Sequence, residues 1–143
     1  MRTRGVLRRR AATVLSVLLL AALACGGGSD PVPELFGTWE WAGSTSGGIS
    51  GDSRTPRPGD PAITVRFAPD GTAVFSRDGE VARKQRYRVM REATIFGPEA
   101  LPVLYFDDEE MGRVLRIEDS GSTLTLSDNV YDGFSLHYRR VAE

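Results

Sequence analysis

The sequence predicts an all-β protein: a single small, antiparallel, up-and-down β-barrel of eight strands. Three observations carry this expectation. Short segments of alternating apolar and polar residues recur from Leu35 to the end of the chain. Turns rich in glycine and aspartate separate most of them, and no segment shows a sustained helical period. Closing such a meander on itself removes its exposed strand edges, and a two-sheet sandwich is the alternative packing of the same strands.

Taken in order, "LFGTWEW" opens the domain and sets Leu35, Trp39 and Trp41 on one face, with Thr38 and Glu40 on the other. "ITVRF" repeats the pattern, with Ile63, Val65 and Phe67 opposite Thr64 and Arg66. "PDG" turns the chain into "TAVFS", and "RDG" turns it into a long segment from Glu80 to Arg91, both being hairpin signals. "ATIFGPEA" reads as a connection, broken by Gly97 and Pro98. The remaining strands are "LPVLYF", "RVLRIE", "TLTLS" and "FSLHYRRV", linked by "DDEEMG", "DSGS" and "DNVYDG". One connection is long for a compact domain: Gly43 to Asp60 reads as a lid over the barrel mouth, as a partner-binding loop or as plain surface, with Ile49 its only large apolar residue.

Gly37-Thr38-Trp39 on the first strand faces a last strand in which Phe134, Leu136, Tyr138 and Arg140 share one phase. This pairing resembles the lipocalin and calycin barrels, and the run of motifs is similar to the small lipocalin-like lipoprotein domains of bacteria. The resemblance implies that Gly37, Trp39 and Arg140 close one end of the barrel, the guanidinium stacked on the indole. Arg139 falls on the outward phase with Ser135 and His137. Within the barrel the ligand-lining candidates are Trp41, Phe67, Arg83, Tyr87, Tyr105, Phe134 and Tyr138, with Ile49 from the long loop. Their aromatic bulk is enough to fill a short eight-stranded barrel. Arg83 and Gln85 share the phase of apolar neighbours, and such groups need polar partners inside, or else lie above the rim.

Ahead of this domain stands "VLLLAALACGGGSD". The apolar run from Ala11 to Ala24 is shorter than the roughly 20 residues of a transmembrane helix. Five arginines precede it, and small residues close it, as in an export signal. Residues 1–24 are therefore expected to be a signal peptide, and Cys25 the new N-terminus. Cys25 at that place resembles the acylated cysteine of bacterial lipoproteins; plain secretion with a free thiol is the alternative. The resemblance implies lipidation at Cys25, a flexible tether over 25–33, and a barrel domain over 34–143 on the periplasmic face of the outer membrane.

Removing 24 of 143 residues leaves 119, and the loss of five arginines takes 18 basic side chains to 13 against 19 acidic, a formal charge of −6. An acidic mature chain argues against nucleic acid as a partner. Catalysis is not expected: the sole histidine, His137, lies on the outward phase, and the serines lack a nucleophile-elbow context. A lone histidine and a committed cysteine argue against a zinc site, and "DNVYDG" departs from a calcium loop at Val130 and Arg139. No cofactor is expected. Lys84, Arg86 and Arg88 form a cationic stripe, suited to anionic headgroups, to an acidic partner, or simply to discouraging edge pairing. The expected function is a membrane-anchored binding module for a small apolar or amphipathic ligand. The alternative is an envelope protein-interaction module, an assembly factor or protease inhibitor, built on a filled barrel.

Overall fold

The computed structural model describes residues 29–48 and 51–142, so Cys25 and Ile49 lie outside the described residues. Nine strands follow one another: β1 (Gly37–Ser46), β2 (Ser53–Arg54), β3 (Ile63–Phe67), β4 (Thr72–Arg77), β5 (Glu80–Thr94), β6 (Gly97–Phe106), β7 (Arg113–Glu118), β8 (Thr123–Asp128) and β9 (Phe134–Arg140). Eight of them pair as antiparallel neighbours in the order β1-β3-β4-β5-β6-β7-β8-β9, and β9 returns to β1, closing the barrel. The ninth, β2, was not legible as a strand. It pairs with Ser44 and Thr45 of β1, beyond Glu40, where the β1–β3 ladder ends.

Local chemistry explains the sharpest turns. Between β4 and β5 only Asp78 and Gly79 intervene, with φ of 51° and 81°, the two positive values that a type I′ hairpin demands. Asp78 also accepts a hydrogen bond from the Ala62 N–H at 2.9 Å, fixing the start of β3 against the turn. The β5–β6 connection departs from expectation. Gly97 and Pro98 do not break the chain: β5 runs to Thr94, β6 starts at Gly97, and Ile95-Phe96 form the tip. On its other side β6 meets β7 only through Val103–Val114 and Leu104–Arg113. Pro98 and Pro102 therefore lie where β6 has no β7 ladder to interrupt.

Alternation along the strands puts Trp39, Val65, Phe67, Ala73, Tyr87, Val89, Leu104, Phe106, Leu115, Leu124, Leu126 and Tyr138 into one buried cluster inside the barrel, joined by Leu35. Val103 and Val114 are fully buried as well, but outside that cluster. The segment before β7 covers them from without: a Cβ on Gly112 would lie 2.4 Å from Val103 Cγ1 and 2.6 Å from Tyr105 Cζ. The wall at β6 is thus apolar on both faces.

One end of the barrel is locked. Pro33–Leu35 form a single 3-10 turn whose Leu35 is wholly buried. Trp39, also fully buried, donates its indole N–H to the Leu35 carbonyl at 2.8 Å. Arg140 lies over that indole, 4.1 Å from guanidinium carbon to ring centroid. Its Nε donates to Gly121 O at 2.7 Å, its Nη1 to Phe36 O at 2.8 Å, and its Nη2 to Glu34 O. Gly37 is required twice over: its φ is +119°, and a Cβ there would stand 2.9 Å from Arg140 Nη1.

Two stability predictions follow from this packing. Arg140→Ala should cost about 1–3 kcal/mol in denaturant melts, from the lost stack and the abandoned carbonyls, whereas Arg139→Ala on the outer face should stay within about 0.5 kcal/mol. Equal costs would deny the lock its role. Gly112→Ala should destabilise by about 1–3 kcal/mol, because Val103 and Tyr105 leave no room for a methyl group. A neutral result in the same melts would show that the outer cover is loose.

Candidate functional site

At the end of the barrel opposite the lock the core does not fill the interior. A cavity of about 220 Å³ opens there, walled by Val65, Phe67, Phe75, Phe106, Leu126, Leu136 and Tyr138. Arg83, Glu109 and Arg113 stand at its rim. Each wall residue is there because its strand alternates: the pairs Phe75–Val65 and Leu126–Leu136 sit directly across from one another in the ladders. Phe67 and Phe106 stack with centroids 6.3 Å apart, and Phe75 tilts against Phe106 at 5.5 Å. The result is an apolar well with an aromatic wall.

The rim is charged but internally paired. Arg113, on the phase of Leu115 and Ile117, donates from Nη1 to Glu109 Oε2 at 2.5 Å and from Nε to Asp128 Oδ1 at 3.2 Å. Arg83 covers the Phe75 ring at 4.6 Å and pairs with Asp108 at 3.5 Å. Gln85 donates its side-chain N–H to the same Asp108 at 2.6 Å, while its Oε1 is buried with no partner among the described residues. The acidic loop between β6 and β7 therefore supplies a partner for Arg83 and for the Gln85 side-chain N–H. Burial pushes the Tyr138 phenol above its ordinary range, against the opposing pull of Arg113, so its hydroxyl is neutral near pH 7.

The size of the well limits what enters. Drug-sized ligands occupy pockets of roughly 300–1,000 Å³, while an apolar cavity of about 150 Å³ already takes benzene. This well suits one ring or one short alkyl chain. It is a niche in a mostly filled barrel.

Of the sequence-chosen residues, Phe67, Arg83 and Tyr138 line the well. Tyr87 is in the core but deeper, with its hydroxyl donating to Ala68 O at 2.7 Å and its ring edge-on to Phe67 at 5.1 Å. Trp41 is half-buried against the core and does not line the well; the Arg54 guanidinium stands 6.0 Å from its ring.

Two choices require correction. Tyr105 faces outward, since Leu104 and Phe106 take the inner phase; its hydroxyl donates to Glu92 at 2.5 Å and Arg88 lies 5.0 Å from its ring. Both phases of "LPVLYF" are apolar because both faces of that strand are covered, so alternation could not choose between them. Phe134 shares the inner phase of β9 but stands at the strand's start, beyond the wall, and is 59% exposed.

Among the described residues none from Gly43 to Asp60 lines the well, so the lid expected of that loop is not formed by them. Gly43–Ser46 belong to β1 and Ser53–Arg54 double back on it. Glu109 and Arg113 were overlooked as a pair, although the in-phase position of Arg113 was readable. Histidine chemistry is absent from the well: His137 sits on the outer wall between Thr45 Oγ1 at 3.1 Å and Thr125 Oγ1 at 3.3 Å.

A second apolar feature lies outside the barrel. Ile95 and Phe96 at the β5–β6 tip meet Val130, Tyr131 and Phe134 around a cleft of about 200 Å³. The Ile95 N–H donates to Asn129 Oδ1 at 3.0 Å, which pins the tip to the β8–β9 loop. All five side chains are exposed, Tyr131 most of all at 84%. Compared with known proteins, the chain matches no family model, no curated protein and no solved structure.

Proposed function

We propose that this protein is a non-catalytic binding module, anchored to a membrane through acylated Cys25, that takes a small apolar or amphipathic group into the open end of its barrel. The observation that carries the reading is the aromatic well of about 220 Å³ with its charged rim. An apolar ring or chain entering it would leave water against Phe67, Phe75 and Phe106, at roughly 25 cal/mol for each Å² of apolar surface removed. A polar end on the same ligand would meet the Tyr138 hydroxyl or exchange with the Glu109–Arg113 pair. The position of His137 on the outer wall supports binding without catalysis. The address rests on the sequence: the short apolar run, its basic head and the cysteine at the cleavage point support an envelope lipoprotein on the periplasmic face of the outer membrane.

The second reading, a protein-interaction module of the envelope, draws support from the exposed apolar cleft around Phe96, Tyr131 and Phe134. Contiguous apolar surface of that kind marks contact sites more often than chance exposure does.

Filling the well should separate the two readings. Leu136→Trp should abolish uptake of a ring-sized fluorescent probe while the barrel's strand signal in circular dichroism persists. Tyr131→Ala with Phe134→Ala should leave uptake unchanged. Probe uptake that is indifferent to Leu136→Trp would overturn the first reading, and loss of a protein partner with the outer pair would favour the second. The anchor has its own check: expressed with its signal in a bacterium, the protein should incorporate labelled fatty acid and sediment with membranes, and Cys25→Ser should do neither. A soluble wild-type protein carrying a free N-terminal thiol would refute it.

A further inference from the structure

The chain ahead of the barrel does not leave it at random. Ser29 and Asp30 lie along β5: the Asp30 N–H donates to Val89 O at 2.8 Å, and the Val89 N–H donates to Ser29 Oγ at 3.0 Å. They add to the β5 edge beyond Arg86, where the β4–β5 ladder ends at Thr72. The second half of the expected tether is therefore docked. Cys25 precedes Ser29 by four residues, a reach of at most about 14 Å, against about 28 Å had all eight tether residues been free.

The docking point sits beside the most cationic surface of the molecule. Lys84, Arg86 and Arg88 alternate along the outer face of β5, all exposed, in a row of about 14 Å. Exposed Arg66 joins them across β4, through the pairs Arg66–Val74 and Val74–Lys84. The carboxylates near this stripe are Asp30, Asp70, Asp107 and Glu92, the last taken up by the hydroxyl of Tyr105, whose ring Arg88 covers. Asp107 pairs with Arg88 only at 3.9 Å with both side chains about half exposed, a contact worth little in water and readily exchanged. Asp70 is occupied with its own turn, accepting from the Thr72 N–H at 2.9 Å; its hydrogen bonds to Thr72 hold its carboxyl below the usual range. Between the docked segment and the stripe lies a depression of about 440 Å³, lined by Arg86, Arg88, Asp70, Gly71 and Asp107. Among the described residues Arg66, Lys84 and Arg86 make no ion pair and Arg88 only the long one to Asp107, so four exposed cations stand together on a chain that is otherwise acidic.

We propose that the face carrying Arg66, Lys84, Arg86 and Arg88 seats on the anionic headgroups of the bilayer in which Cys25 is anchored, fixing the barrel's orientation to the membrane. The inference rests on the anchored reading above. Its carrier is the coincidence of two independent features: the docked Ser29–Asp30 segment delivers the anchor to the β5 edge, and that edge bears the stripe. Repulsion between the acidic remainder and the same headgroups orients the molecule further. The surface potential decays within a Debye length of about 8 Å, so only a face held this near the anchor can use it.

Lys84 is the only lysine in the sequence, which supplies a direct readout. The acylated protein is reconstituted into phosphatidylglycerol-containing or purely phosphatidylcholine vesicles, recovered by flotation, and treated with an amine-reactive reagent. Peptide mass spectrometry then gives the labelling rate at Lys84. The rate should fall about fivefold or more on the anionic vesicles relative to the neutral ones, the factor for one cation seated at such a surface. About 0.5 M salt, or the double variant Arg86→Glu with Arg88→Glu, should restore it. Equal labelling on the two vesicle types, with flotation intact, would overturn the orientation while leaving the anchor standing. Protein that fails to float on either vesicle would overturn the anchored reading and the proposal with it.

Discussion

The barrel depends on one arrangement at its closed end: a guanidinium laid on a buried indole and spread across three backbone carbonyls. Arg140 joins the last strand to the chain just before the first, through Glu34 and Phe36, and to the β7–β8 connection through Gly121. The closing ladder places Trp39 directly opposite Arg140, so the stack and the β1–β9 seam are one structure. A charge taken partly out of water must have its donors satisfied, and here Glu34 O in the 3-10 turn, Phe36 O just after it and Gly121 O between β7 and β8 accept them. That turn in turn drives Leu35 under the barrel as a plug. Gly37, Trp39, Leu35 and Arg140 are thus mutually conditional.

Much of this was legible because it follows from alternation and turn chemistry. The eight barrel strands stand where period-two patterning set them, and the Asp78-Gly79 turn could be read from two residues. The phase of β9 alone distinguishes Arg140 from Arg139. Other features were not readable, for physical reasons. Alternation fails where both faces of a strand are covered, as at Val103 and Tyr105 behind Gly112. It also fails where a strand outruns the wall, as at Phe134. β2 has two residues and no pattern to show. Pairing of the acidic loop with Arg83 and Gln85 is long-range, and no local rule announces that a solvated-looking charge run will turn back onto a rim.

The two ends of the barrel are built on opposite principles. At the closed end, cation and carbonyls meet around a fully buried indole and leave no space. At the open end, Arg113 is balanced by Glu109 and Asp128 around a well that side chains do not fill. With Arg113 held by two carboxylates and Arg83 by Asp108, both rim cations are already engaged, which suits a ligand that is apolar with a weakly polar end better than a bare anion. A free carboxylate would have to displace Glu109 from Arg113, trading one carboxylate for another at no gain.

Charge is also sorted around the wall. β5 carries Arg83, Lys84, Arg86, Arg88 and Arg91 against Glu80 and Glu92, a cationic strand where residues 25–143 hold 19 acidic against 13 basic side chains. At Arg86 and Arg88 a device against edge pairing has little left to do, because β5 is covered on both sides there: β4 and then the Ser29–Asp30 segment on one side, β6 from Tyr87 on the other; from Glu80 to Gln85 the β6 side carries no ladder. Arg86 and Arg88 therefore need a reason outside strand pairing, and the nearest candidate is whatever surface the docked N-terminal segment leads to.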